Sequence, residues 1–538
     1  MPTRRDGLAR IALRLGAGAL VALGVLLSLL VLNAASPGPI LFAGVELAFL
    51  AFFVFVTSAI FSGLWHAYST HPAERKAMLA VGIILGLTLG AHLYIINSPA
   101  TADCYDSGDM VNGCIGDEQY YVLAGERIQH GVSCNVDFRS LVSDCNFEHP
   151  YLSKAFVGAG IALFGDNDFG WRIFQVLLGT SSLPLLYLLA WKLTASRRFS
   201  LIATVLLGLD TMFFVHSSAA LIDVHMVFFS LLAFVTYFYR VKLWRLDRFV
   251  VSGALMGIAG LTKETAVFLA LTLLTYHLLA GEAGEGITGG GWMAALKARL
   301  KPTVVIAVSG FAVFAVGLQV YDSLFVSSSV HSFIDHIVFM LRYGASLVGK
   351  GSYVYGPSNT PVTPFSWLTY YWPIPYLVET YRYCPNPGPG PACVSVFYTT
   401  VGYRSFTNLL EAWATFLWVP LTVYTLWKRL KPRSLSPEAA EAQVTGPSDL
   451  KVSLLSLLWF SWNYFPYLLL YALGRVTYPF YLIPAMPGLA LGTAYLLTRK
   501  GIPRPIVYLY LAGVFGVFFV LFPVKAFLPE WLRILIGY

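Results

Sequence analysis

Charge is what this sequence holds least of. Asp, Glu, Lys and Arg make up 12% of its 538 residues, while hydrophobic residues make up 57%. A soluble globular chain carries about a quarter charged residues. The deficit excludes a water-exposed surface over most of the molecule and calls for lipid around it. The formal charge of +8 does not mark a nucleic-acid-binding face. The Lys and Arg lie in short loops between apolar runs, where they report orientation across a membrane. Cysteine is also scarce, at six. No Gly-rich loop suited to cradling a nucleotide phosphate is present, and no internal repeat of the kind many transporters carry.

What is present is a succession of apolar runs, each near the length of about 20 residues that spans a bilayer. They fall near 11–33, 39–64, 77–97, 169–192, 199–217, 223–240, 249–262, 265–281, 303–322, 405–427, 453–473, 477–497 and 504–523. This predicts an all-α polytopic membrane protein of about 13 transmembrane helices with two long outer loops. The first run exceeds the ~7–15-residue core of a signal peptide and reads as a retained helix. With this assignment Arg4, Arg5, Arg10, Arg14, Arg75, Lys76, Arg197, Arg198, Lys297, Arg299, Lys301 and the clusters at 240–248, 428–433 and 499–504 share one side. That side is the cytoplasm, which puts the N-terminus inside and makes this an integral plasma-membrane protein. The chain divides into an N-terminal three-helix segment (1–97), an outer loop (98–168), a transmembrane core (169–322), a second outer loop (323–404) and C-terminal helices (405–538). The apolar stretch 151–164 is too short to span and reads as an interfacial or re-entrant helix.

All six cysteines, Cys104, Cys114, Cys134, Cys145, Cys384 and Cys393, fall in the two outer segments. That distribution suits disulfides in an oxidising compartment. Neighbours in sequence suggest 104–114, 134–145 and 384–393 among the 15 pairings open to six cysteines; a metal site is the rival reading. No His, Cys and carboxylate cluster has metal-site spacing. A metal assignment is therefore none, with the need for a divalent metal left open.

Ionisable residues gather at the predicted outer face. They include Asp117-Glu118, Glu148-His149 with Lys154, Arg172, Asp223, Lys263-Glu264 and Arg475. Such groups at helix ends near lipid are costly unless paired or used. An acidic pair can supply a base for a hydroxyl, and several cations can hold a phosphate as charge builds on it. Each also has a plain account. Asp117-Glu118 is a solvated pair, Lys263-Glu264 ordinary loop chemistry, and Arg172 and Arg475 are snorkelling side chains. His149-Pro150 is a helix entry and Asp210 a helix–helix contact. Trp367, Tyr370, Tyr371 and Trp372 form an interfacial belt. Their convergence on one face favours function. A transporter and a non-catalytic assembly subunit are the rivals from other classes.

Several stretches resemble a known family. DEQYYVLAGERI, EHPYLSKAFVGAGIALFGDNDFGWRIFQVLLG, LLGLDTMFFVHSSAALIDVHMVFF, LTKETAVFLAL, SWLTYYWPI and GRVTYPFYLIPAMPGLALG are similar, in consistent order over about 101–500, to the dolichyl-phosphate-mannose protein mannosyltransferases of prokaryotic type. The resemblance implies a GT-C glycosyltransferase fold. It also implies inverting transfer of a sugar, classically mannose, from polyprenyl or dolichyl phosphate to a protein Ser or Thr hydroxyl, with the lipid-linked sugar as substrate and no cofactor. Carried over, Asp117 is the general base and Glu118 its acidic partner. Lys154 and Arg172 contact the donor phosphate, joined by Lys263 and Arg475. His149, Tyr121, Asp223, Tyr478 and Tyr481 bind substrate. Tyr151 stands where the family has a second proline, and Ser218 where an arginine is expected. The 323–404 loop has no room for the soluble domain of eukaryotic members. A lipid or glycan acceptor is the alternative within the enzyme class, because substrate does not follow from fold.

Overall fold

The computed structural model describes residues 75–97, 115–240, 246–280, 292–326, 330–349, 354–355, 360–369, 374–383, 396–430 and 447–522. The expected spans 11–33 and 39–64 lie outside the described residues, as do Cys104, Cys114, Cys384, Cys393, Tyr370, Tyr371 and Trp372. In chain order the helices are α1 (Arg75–Ile95), α2 (Glu118–His130), α3 (Leu152–Phe164), α4 (Asp168–Thr194), α5 (Arg197–Leu209), α6 (Thr211–His216) and α7 (Asp223–Phe238). They continue as α8 (Arg248–Thr262), α9 (Ala266–Ala280), α10 (Trp292–Phe325), α11 (Phe333–Ser346), α12 (Leu409–Leu430), α13 (Pro447–Ala472), α14 (Met486–Leu497) and α15 (Arg504–Leu521).

Helix ends follow local chemistry. The Asn167 side chain accepts from Gly170 N at 3.0 Å and starts α4, as an N-cap does. The expected 199–217 span is broken at Asp210. Its carboxylate caps α6 by accepting from Phe213 N at 2.8 Å and also accepts from Asn408 N at 3.0 Å. Asp210 is thus the structural contact anticipated for it. The 477–497 span opens as a 3-10 turn over Pro479–Ala485 before α14, because Pro479, Pro484 and Pro487 lack the amide hydrogens an α-helix needs.

Six stretches of the described residues are long and apolar enough to cross a membrane. They include α1, α4 and α15, and α7, α8 and α9 are shorter. Residues along α7 are buried nearly throughout, as are most of those along α4, so these two helices form the interior. Neighbouring helices present Leu79, Ile83, Leu87, Leu509 and Phe515 outward. The 323–404 region is not a plain loop. It contains α11 and an antiparallel hairpin, Ile374–Tyr383 with Val396–Ser405, so the all-α expectation holds for the membrane part alone.

The stretch 151–164 also departs from expectation. At about 1.5 Å per residue, the 13 residues of α3 reach about 20 Å, short of a ~30 Å hydrocarbon core. Residues Leu152 to Ile161 are nevertheless all buried, packed by protein rather than lying on lipid. Their approach to α2 is close because two glycines face each other. A Cβ on Gly125 would lie 2.9 Å from Gly158 N and 3.0 Å from Lys154 O. That crossing fixes the start of α2, where Asp117 and Glu118 sit.

Cys134 and Cys145 are disulfide-bonded across the small hairpin Val136–Asp137 with Val142–Ser143, the pairing suggested by their sequence neighbourhood. Phe147, Val330 and Phe339 pack around the bridge, joining the segment before α3 to α11. Closing a loop of 11 residues contributes about 2–3 kcal/mol. Cys134→Ser is expected to lower the thermal midpoint measured under oxidising conditions relative to the unaltered protein.

Candidate active site

A cavity of about 1010 Å³ is lined by residues from widely separated parts of the chain. Gly116, Asp117, Tyr120 and Tyr121 come from the start of α2, and Asn146, Glu148 and His149 from the segment before α3. His216, Asp223, Lys263 and Glu264 come from the ends of α6 to α9, and Arg475, Tyr478, Phe480 and Tyr481 from the turn after α13. Val267, Phe268, Phe314, Ile337, Met340, Leu341 and Leu470 add apolar side chains to the lining.

Eight of the eleven residues singled out in the sequence therefore meet at one cavity: Asp117, Tyr121, His149, Asp223, Lys263, Arg475, Tyr478 and Tyr481. Glu118, Lys154 and Arg172 are not among its lining residues. Arg172 is fully buried and bonds Glu118 through Nε at 2.7 Å and Nη2 at 3.0 Å. Its Nη1 donates to Ile96 O at 2.8 Å. Glu118 also accepts from Ala220 N at 2.7 Å and Ile115 N at 3.2 Å. This network ties α1, α2, α4 and the turn before α7 together, and it aims the neighbouring Asp117 at the cavity. Lys154 donates to Asn146 O at 2.5 Å and His149 O at 2.6 Å, so it clamps the segment that carries His149. Lys154 and Arg172, expected at the donor phosphate, here donate to Asn146, His149, Glu118 and Ile96.

Lys263 and Arg475 are the cations on the cavity wall. Lys263 Nζ lies 2.6 Å from Asp223 Oδ1, and His216 Nδ1 lies 3.2 Å from Asp223 Oδ2. Lys263 stands over the Phe480 ring at 5.5 Å and Arg475 over the Tyr481 ring at 5.7 Å, distances at which a cation is drawn to an aromatic face. Arg475 Nε donates to Gly344 O at 2.7 Å. Tyr481 stacks on Tyr467 at 5.0 Å and Tyr478 on Phe480 at 5.2 Å.

Asp117 is half-buried at the wall. Loss of hydration pushes its carboxyl above the ordinary value, opposed by His149 and Lys263 and reinforced by Asp223. Burial would also raise Glu264, but the charge and hydrogen bond of His149, aided by Lys263, bring it below its ordinary value. Reasoning from the sequence left Glu148, Glu264 and His216 out of the site set. The first two were visible as charged neighbours of His149 and Lys263, whereas His216, in a mostly apolar stretch, carried no signal. Trp367, assigned to an interfacial belt, is buried against Tyr464 and Tyr467 instead.

Among the described residues the one group with metal-like proximity is Cys134, Asp144 and Cys145. It does not fit a metal, since both thiols are consumed in the disulfide.

An acid, two cations and several aromatic rings thus meet at one cavity of a polytopic membrane protein. Residues 148–296 match the family model described as dolichyl-phosphate-mannose-protein mannosyltransferase, so the resemblance read from the sequence is borne out. The polyprenol-phosphate-mannose–protein mannosyltransferase of Mycobacterium tuberculosis is 34% identical over 122 residues, 22% of this chain and 22% of that protein. Its counterpart in Mycolicibacterium smegmatis is 32% identical over the same share of each. The match thus spans about a fifth of the length of these relatives. The Saccharomyces cerevisiae protein O-mannosyltransferase Pmt1-Pmt2 complex bound to the sugar donor is a structural neighbour, with a TM-score of 0.52 at 12% identity. That likeness covers 84% of this chain and 90% of that one, and the two share a fold.

Proposed function

We propose that this protein transfers a sugar, mannose, from a polyprenyl phosphate to a Ser or Thr hydroxyl of a protein at the extracytoplasmic face of the membrane. The observation that carries this is the cavity itself, which Asp117, Lys263 and Arg475 line together with a set of apolar side chains. A prenyl tail suits the apolar side chains, a phosphate suits the two cations, and a sugar suits the rings of Tyr478 and Tyr481. The acceptor oxygen forms a bond to the anomeric carbon as the bond from that carbon to the phosphate oxygen breaks. The electron pair leaves on the phosphate, whose growing charge Lys263 and Arg475 offset. Asp117 takes the hydroxyl proton. One displacement from the face opposite the phosphate inverts the anomeric centre.

The test is direct. Purified protein in lipid nanodiscs, supplied with radiolabelled polyprenyl-phosphate mannose and a Ser/Thr-rich peptide, should label the peptide. Label released only as free mannose, or passed only to lipid, contradicts the reading.

A pH dependence follows from the site. The base works when ionised, so transfer is lost as pH falls through the Asp117 pKa. Because burial holds that value above the ordinary 3.8, the acid limb of kcat/KM should fall at higher pH than an exposed aspartate would give.

A further inference from the structure

Nothing in the sequence marks Tyr467, which sits in the apolar run of α13, yet it lines the cavity and is only 2% exposed. Its ring stacks on Tyr481 at 5.0 Å, lies T-shaped to Phe268 at 5.8 Å and tilts against Trp367 at 5.9 Å. Three aromatic neighbours therefore hold the ring, which leaves little rotamer freedom to lose on binding. Its hydroxyl bonds no other group among the described residues. Tyr464, three residues earlier on the same helix and also buried, gives its O–H to Pro364 O at 2.9 Å. A buried phenol normally finds a partner, and one left over at a cavity wall is open to what the cavity takes in.

The neighbours of Tyr467 say what that is. Lys263 Nζ lies 5.9 Å and the Arg475 guanidinium 5.7 Å from the centroid of Tyr481, the ring on which Tyr467 stacks. Two cavity carboxylates have donors of their own, Asp223 in Lys263 and His216, and Glu264 in His149. An ammonium and a guanidinium donate and cannot accept, so the group they gather is an anion. A neutral O–H beside them adds a donor to that anion without adding charge. Phe268, the T-shaped neighbour, is one of the apolar side chains of the lining. Tyr467 thus touches both the ring that carries the cations and the apolar set, the junction that a phosphate joined to a prenyl chain requires. We infer that Tyr467 is a further binding residue for the lipid phosphate, its O–H donating to a phosphate oxygen alongside Lys263 and Arg475. The inference rests on the transferase reading above and deepens it.

The experiment measures binding of a polyprenyl phosphate, and of the same polyprenol without its phosphate, to the full-length protein in phosphatidylcholine nanodiscs. Tyr467→Phe and Tyr464→Phe are compared with the unaltered chain. Tyr467→Phe keeps the ring and its stack on Tyr481 and removes only the hydroxyl. It should raise the Kd for the polyprenyl phosphate about tenfold, the ordinary worth of a hydrogen bond to a charged group. Its Kd for the polyprenol should stay within about twofold of the unaltered chain. Tyr464→Phe, which loses a hydroxyl bonded to backbone instead, should leave both constants within about twofold. A Tyr467→Phe variant that binds the polyprenyl phosphate as the unaltered chain does overturns the inference and leaves the transferase reading intact. So does one weakened by the same factor towards phosphate and polyprenol, because the loss then concerns the chain or the fold and not the phosphate. An unaltered protein that binds the polyprenyl phosphate no better than the polyprenol overturns both.

Discussion

Asp117→Asn should abolish most transfer, reducing kcat by about 10²–10⁴-fold. The carboxylate is replaced by an amide of nearly the same size, so the start of α2 keeps its place. Glu118 and not Asp117 makes the bonds to Arg172, Ala220 and Ile115. Thermal stability should therefore change little, and the donor should still bind, since Lys263 and Arg475 are untouched. What is lost is the acceptor for the hydroxyl proton. The amide cannot take it at any accessible pH, so raising pH should give no recovery. Single-turnover transfer from labelled donor to peptide reads the effect. Full transfer by Asp117→Asn would remove the base assignment.

The largest effect on stability belongs to the residue next door. Glu118 and Arg172 are 1% and 0% exposed. Glu118→Ala would take from the buried guanidinium its two shortest carboxylate bonds, leaving Asp168 Oδ1 at 3.4 Å, and strip the acceptor from two backbone amides. Breaking a buried pair from one side costs about 3–5 kcal/mol, and Arg172→Ala should cost a similar amount by exposing the opposite partner. Removing both should cost less than the sum, because neither charge is then left alone. Thermal unfolding in detergent of the two single variants and the double one measures this. Single variants that unfold like the parent but bind donor weakly would return Arg172 to the phosphate and contradict the architectural role.

This contrast shows how far the sequence could be read. Composition and the length of apolar runs located α1, α4, α7 to α9, α12 and α15 to within a few residues, because lipid imposes one requirement on every span, whereas α10 and α13 begin well before the expected 303 and 453. The breaks inside 199–217 and 477–497 were less legible. Asp210 and the prolines around Pro484 interrupt helices that hydropathy alone runs together. The hairpin Ile374–Tyr383 with Val396–Ser405 was missed for a related reason: attention to spanning runs leaves the connections between them undescribed.

At the site, residue type announced chemistry but not partners. Asp117 and Glu118 are adjacent and both acidic. Only packing shows that one faces the cavity and the other faces Arg172. Lys154, Arg172, Lys263 and Arg475 looked equivalent as cations near one membrane face. The structure gives each a partner, backbone carbonyls for Lys154, Glu118 and Ile96 O for Arg172, Asp223 for Lys263 and Gly344 O for Arg475, and of the four only Lys263 and Arg475 line the cavity. A helix turn separates neighbours by about 100°, so adjacency in sequence carries little information about which side chain reaches a substrate.

The central claim is that one cavity holds a lipid phosphate between Lys263 and Arg475 with Asp117 across from it. A structure of the protein with bound polyprenyl phosphate tests this most directly. The phosphate oxygens should lie within hydrogen-bonding distance of Lys263 Nζ and the Arg475 guanidinium, with the first prenyl units against Phe268 and Met340. A phosphate bound instead by Lys154 or Arg172, or by no residue of this cavity, would contradict the account.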